Sequence, residues 1–140
     1  MELMILGHFE AQDLGLDFND IHYYHPKCPW SFGKNGKFKK EDILDFCFVE
    51  GDKVISVLEV WVCENNHEIQ ISFVSTHPNF TRKGLASRLY DSLITWMKLN
   101  HSNKKIYRGY PGVNCPEDFT NNINNKLENN QIPYYFGDST

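Results

Sequence analysis

The run Thr81-Arg82-Lys83-Gly84-Leu85-Ala86-Ser87 holds the residue types that bind an anion through the backbone. Gly84 and Ala86, two positions apart, let a ligand approach the chain closely. An apolar stripe begins at Leu85, so the run sits where a helix should start. The first amides of a helix have no internal partners and point outward. With the helix dipole they form an anion site suited to a pyrophosphate. Arg82 and Lys83 add positive charge locally in a chain whose formal net charge is -4. A glycine and an alanine at this spacing are a weak signal alone. The order of a β-branched strand, a His-Pro break, the turn and an apolar helix gives them weight.

Other groups with chemical potential are fewer. Glu59 stands in the middle of a strand-like run, and its plain reading is a solvent-facing strand carboxylate. His22, His25 and Cys28 have HxxHxxC spacing, but Pro26 and Pro29 interrupt any helix that would align them and no fourth ligand is near. A closed structural zinc shell needs four, so no metal is expected. Cys28, Cys47, Cys63 and Cys115 contain no CxxC pair; Cys47 and Cys63 lie in strand-like runs and read as buried, reduced thiols. Lys34, Lys37, Lys39 and Lys40 read as a solvated loop, although they also prompt a weaker idea, that the partner is a nucleic acid or a tRNA-linked amine. The acidic balance, with a pI near 5.8, argues against nucleic-acid binding by the whole surface.

The elements that must position these groups follow from periodicity. The 140 residues, 41% hydrophobic, suit a single domain over 1–140 with one core. The sequence offers no bilayer-spanning run and no signal-peptide pattern, which makes a cytoplasmic protein the expectation. Residues 1–7 read as an opening strand, and 9–40 as at most one or two short helices among loops. Ile43–Val49 and Val54–Val62 are strand-like around a tight turn at Gly51, and Glu68–Thr76 follows, giving an antiparallel meander. In the third of these Ile69, Ile71 and Phe73 should share one face, an alternation that weakens toward Thr76. Leu85, Leu89, Leu93, Trp96 and Met97 predict a helix over about 83–99. The run 105–110 reads as a strand parallel to Glu68–Thr76 through a right-handed crossover. A short helix from about 116 to 127 is expected to be a poor one, because six asparagines lie between 121 and 130. Ile132–Phe136 could close the sheet at an edge, given Pro133.

The run Val74-Ser75-Thr76-His77-Pro78-Asn79-Phe80-Thr81-Arg82-Lys83-Gly84-Leu85-Ala86 resembles the central motif of the GNAT (GCN5-related) N-acetyltransferases. That motif is Gln or Arg, two residues, Gly, one residue, then Gly or Ala, after a strand often ending in Val-His-Pro. The match is good at His77, Pro78, Lys83, Gly84 and Ala86 and departs at Thr81, beside which Arg82 could substitute. The specific likeness covers about Glu68 to Leu99. It implies an α+β fold: a GNAT-like mixed, mostly antiparallel sheet with a parallel, splayed strand pair and flanking helices. It implies acetyl-CoA (coenzyme A) as cofactor, with Val74, Ser75 and Thr76 bonding the pantetheine arm. Arg82, Lys83, Gly84, Leu85, Ala86 and Ser87 would bind the pyrophosphate.

The implied reaction is direct attack of a primary amine on the acetyl thioester in a ternary complex, with no covalent nucleophile. The acceptor would be a small-molecule or protein amine; a homodimer is left open. Glu59, in the middle of the neighbouring strand, would be the first candidate for the general base, with Glu68 and Asp45 as weaker ones. The family's Asn-x-x-Ala-x-x-x-Tyr pattern is missing, since Glu117 and Asn121 stand three and seven residues beyond Asn114. Tyr107, Tyr110 and Tyr134 could replace its tyrosine as general acid, with Tyr110 carried forward. That departure sustains an alternative, a catalytically inactive GNAT-like binding or inhibitor protein.

Overall fold

A computed structural model describes residues 1–21, 43–63, 67–100, 102–109 and 117–137. In chain order it contains β1 (Glu2–Gly7), α1 (His8–Asp13), β2 (Ile43–Glu50), β3 (Lys53–Cys63), β4 (Glu68–Thr76), a 3-10 turn (Pro78–Phe80), α2 (Leu85–Leu99), β5 (Lys105–Gly109), α3 (Glu117–Asn129) and β6 (Tyr134–Gly137). The six strands form one sheet in sequence order. β1 to β4 are antiparallel neighbours, β4 and β5 are parallel, and β6 runs parallel to β5. The mixed, mostly antiparallel architecture is as the sequence implies. His22, His25, Cys28, the lysines at 34–40 and Tyr110 lie outside the described residues.

The sheet is covered unequally. Phe46, Leu58, Val60, Ile69 and Ile106 pack beneath Leu85, Leu89, Leu93 and Met97 of α2 and Ile123 and Leu127 of α3. The opposite face gathers Cys47, Val49, Val54 and Val57 under Ile21, with Leu16 and Phe18 against them. Cys47 and Cys63 are buried free thiols. No described helix is long and apolar enough to cross a membrane.

Two irregularities set which residues share a face. In β3 the pairing steps from Phe48–Ser56 to Val49–Val54, leaving Ile55 as an extra residue. In β4 it steps from Glu59–Phe73 to Val60–Ile71, leaving Ser72 extra. A bulge resets the alternation of side chains beyond it. Ile69, Ile71 and Val74 therefore face the helices, whereas Phe73 joins the opposite face. This corrects the expectation that Ile69, Ile71 and Phe73 share one face, which assumed an unbroken period of two.

α2 begins two residues later than its apolar spacing suggests, because Gly84 is a left-handed cap (φ 74°) and Arg82 is left-handed too (φ 62°). The asparagine-rich α3 is a full 13-residue helix. Tertiary bonds offset its low propensity: Asn122 accepts from Ser87 Oγ (3.1 Å), Asn124 from Arg108 Nη1 (2.5 Å), and Asn130, just past its end, from Lys98 Nζ (2.5 Å). The ion pair Lys126–Asp91 (2.8 Å) joins α3 to α2 as well.

Leu89 is wholly buried between α2 and the sheet. Leu89→Ala should lower unfolding stability by about 2–5 kcal/mol in urea denaturation, through lost burial and the cavity left behind.

Candidate functional site

The site begins where β4 and β5 part. Their ladder has three rungs: Glu68–Lys105, Ile69–Ile106 and Gln70–Tyr107. β4 continues for six residues to Thr76 with no partner on β5 among the described residues. The stretch that leaves the ladder contains the Ser72 bulge, and a bulge bends its strand and raises the local twist. Backbone groups on the β5 side of this stretch have no strand partner among the described residues, and such groups need one or a ligand.

The far end of β4 is tied to β3 rather than β5. Ser56, fully buried, places its Oγ 2.8 Å from Thr76 Oγ1 and donates to the Ser75 carbonyl (3.3 Å). The next amide, His77 N, donates to the carbonyl of the bulged Ile55 (2.7 Å). His77 Nδ1 accepts from Asn79 N (3.0 Å), so a neutral ring carries its proton on Nε2, which lies 3.4 Å from Asp20 Oδ2. Its ring stacks edge-on against Phe80. These contacts make His77 an anchor of the break.

Thr81 Oγ1 then closes the 3-10 turn by donating to the Pro78 carbonyl (3.2 Å). Thr81, Arg82, Lys83 and Gly84 are all exposed, and Lys83 Nζ lies 5.4 Å from the Phe80 ring centroid. The first bond inside α2 is Arg88 N to the Gly84 carbonyl (3.0 Å), which leaves the amides of Leu85, Ala86 and Ser87 without intrahelical acceptors. Leu85 turns its side chain into the core and so fixes the helix start, while a Cβ built on Gly84 meets nothing within 4 Å. A left-handed bend, three outward amides, two cations and open space above the backbone fit a pyrophosphate. These residues could hold coenzyme A: the turn at its diphosphate, and Val74, Ser75 and Thr76 along the cleft.

Asp45 and Glu59 lie on the other face, directly opposite each other on β2 and β3. A regular ladder continued from Glu50–Lys53 would set Asp45 against Leu58; the Ile55 bulge moves it to Glu59. Both are buried, Asp45 completely and Glu59 to 5% exposure. The expectation of a solvent-facing strand carboxylate thus gives way to a buried one. Glu59 Oε1 accepts from Trp61 Nε1 (3.3 Å), and Glu59 pairs across to Phe73 on β4, the strand that borders the cleft. Burial, and then the Glu59 carboxylate, push Asp45 well above the usual carboxylate range. Burial and the same two carboxyls push the Cys47 thiol up.

The tyrosine candidates separate. Tyr107 stands on the last β4–β5 rung, its ring 5.1 Å from that of Tyr135. Tyr134 donates to Glu128 Oε1 (2.6 Å) on the helix side, a bond that pushes its hydroxyl up. Tyr135 donates to Glu68 Oε1 (2.5 Å), and burial together with that bond pushes it up to about 12. Glu68 is therefore engaged at the closed end of the ladder, away from the cleft. Sequence reasoning missed the opposition of Asp45 to Glu59 and the strap from Ser56. Hairpin counting from Gly51 could have found the first only by placing the bulge.

A model of the Acetyltransferase (GNAT) family matches residues 10–108. A search of curated protein sequences gives no significant match. Among solved structures, the ribosomal-protein-S18-alanine N-acetyltransferase from Escherichia coli is similar in fold, with a TM-score of 0.62 at 17% identity over 90% of this chain and 76% of that one. A structure from Staphylococcus aureus described as a GNAT family acetyltransferase gives 0.41 at 17% identity, over 46% of this chain and 53% of its own.

At Gly84 an added Cβ is opposed by backbone angle alone. Gly84→Ala should cost about 1–2 kcal/mol in thermal or chemical denaturation, from left-handed strain rather than a clash.

Proposed function

The chain belongs to the Acetyltransferase (GNAT) family, and on that premise we propose that it is an acetyl-CoA-dependent N-acetyltransferase of one domain, 1–140, acting on a primary amine in a ternary complex. The observation that carries this reading is the parting of β4 from β5 after Gln70, with the Arg82–Ser87 turn at the end of the same cleft.

Bound acetyl-CoA supplies a thioester carbonyl open to addition by a neutral amine. The amides of Gly84, Leu85, Ala86 and Ser87, with Arg82 and Lys83, hold the diphosphate end. The open edge of β4 at Val74, Ser75 and Thr76 aligns the arm, so that positioning contributes much of the rate. An amide of Ser75 or Thr76 directed into the cleft stabilises developing negative charge on an oxygen there. Glu59 takes the proton of the acceptor ammonium, directly or through water, from its place beside Phe73. Tyr107, at the root of the cleft, and Tyr110, a few residues further along, are the candidate acids.

The acceptor is an amine, small or on a protein. The structural neighbour from Escherichia coli is named for an alanine of a ribosomal protein, which supports a protein N-terminus as one class to test. The chain's acidic balance and Glu59 favour a cationic acceptor, and a cytoplasmic setting fits such a partner. The second reading is a GNAT-fold binding protein without turnover. Its motive is Asn121, which occupies an exposed position on α3 where the family pattern places tyrosine.

Calorimetry should show saturable binding of acetyl-CoA. Gly84→Val should weaken it at least roughly tenfold while circular dichroism stays unchanged, as loss of close backbone approach requires. Unaltered affinity would remove the turn from the site. With a panel of amines, thiol release should be measurable, and Glu59→Gln should reduce kcat by about 10²–10⁴-fold without changing acetyl-CoA affinity. Binding without thiol release from any amine would favour the second reading.

A further inference from the structure

We propose that Asp45 and Glu59 hold one proton between them, with Asp45 the positioning residue that donates to Glu59 and keeps it ionised inside the sheet. The inference rests on the reading of Glu59 as base.

Geometry is the first ground. The two residues are direct cross-strand partners, an arrangement produced by the Ile55 bulge, and both are buried. Among the described residues, neither Asp45 oxygen has a hydrogen-bond donor within reach, although the group is completely enclosed. An ionised carboxylate only accepts hydrogen bonds, so two ionised carboxylates facing each other repel and leave Asp45 unsatisfied. One proton removes the conflict: Asp45 becomes a donor and Glu59 its acceptor. Two like carboxyls that share a site ordinarily divide their protons in this way.

The surroundings decide which member keeps the proton. Around Asp45 stand Leu6 on β1, Cys47 on its own strand and Glu59 on β3. Cys47 is itself held as a neutral thiol, and among the described residues Glu59 is the charged group acting on Asp45. Glu59 has a second donor, Trp61 Nε1, and keeps the small exposed fraction that Asp45 lacks. Beside it on β4 are Phe73 and, next to Trp61, Gln70, both uncharged. The carboxylate charge therefore settles on Glu59, which has two donors and the outer position. The ammonium proton passes to Glu59, leaving a neutral amine and a protonated Glu59 that returns the proton to water. Asp45 keeps its own proton throughout.

The test uses the full chain with its Asp and Glu carboxyl carbons isotopically labelled, followed by NMR from pH 4 to 9. One aspartate resonance, identified by its loss in Asp45→Asn, should remain in the protonated form through neutral pH. Asn can still donate, so Asp45→Asn should leave the Glu59 titration close to wild type. Asp45→Val cannot donate, and should raise it by about one pH unit or more. The acidic limb of amine acetylation should move with it, and Asp45→Asn should restore its place. Titration of Asp45 in the ordinary carboxylate range would overturn the inference. So would a fall in the Glu59 titration in Asp45→Asn, the mark of a lost negative neighbour. If Asp45→Val does not fold, the wild-type and Asp45→Asn titrations still decide. Full activity of Glu59→Gln alongside a shared proton would sink the base assignment and leave the pair; an ordinary Asp45 with an inactive Glu59→Gln would do the reverse.

Discussion

A β-strand that stays paired on both sides leaves no room beside it. β4 keeps β3 along its whole length and gives up β5 after Gln70, and the rest of the structure is arranged around that loss. Beyond Gln70, where β4 has no β5 partner among the described residues, Ser56 and the carbonyl of Ile55 support it from the side that remains, at Ser75, Thr76 and His77. α2 must start where the strand ends, so the chain reverses through a 3-10 turn and two left-handed residues within a few positions. The turn can afford exposed amides because Leu85 already anchors the helix beneath it.

The two bulges share one physical role. Each inserts one residue on one strand of a pair, and each changes which side chains meet across the sheet. At Ser72 the effect is to split Ile71 and Val74 from Phe73, so that apolar contact with α2 continues while β4 bends. At Ile55 the effect is electrostatic. Two carboxyls that a regular hairpin would keep on opposite faces become neighbours, and among the described residues Asp45 has no donor with which to stay charged beside Glu59.

Much of the fold was legible in the chain. β-branched runs located β2, β3 and β4, the three- and four-residue steps from Leu85 located α2, and the helix between two strands implied a parallel return at Lys105. The anion turn was legible because glycine, alanine and basic residues have separate physical reasons to stand there. Bulges were not, since Ser72 and Ile55 are ordinary strand residues whose extra count shows only against a partner strand. α3 was underestimated for a related reason. Its asparagines are poor for an isolated helix, and their value lies in bonds to Ser87 and Arg108, far away in sequence. Glu59 was found as a residue but not as half of a pair. Tyr110 remains an assignment from sequence, outside the described residues.

The same asparagine seam has a kinetic side. α3 buries two side chains, Ile123 and Leu127, whereas α2 buries six. An element held chiefly by exposed polar contacts opens at low free-energy cost, independently of global unfolding. With less buried surface than α2, α3 is expected to open more readily than the sheet and α2. Each opening frees Ser87 Oγ from Asn122 at one end of the cleft and Arg108 from Asn124 just past the point where the strands part. The helix that sequence marks as weakest thus holds two polar groups near the cleft in place, Ser87 through Asn122 and Arg108 through Asn124.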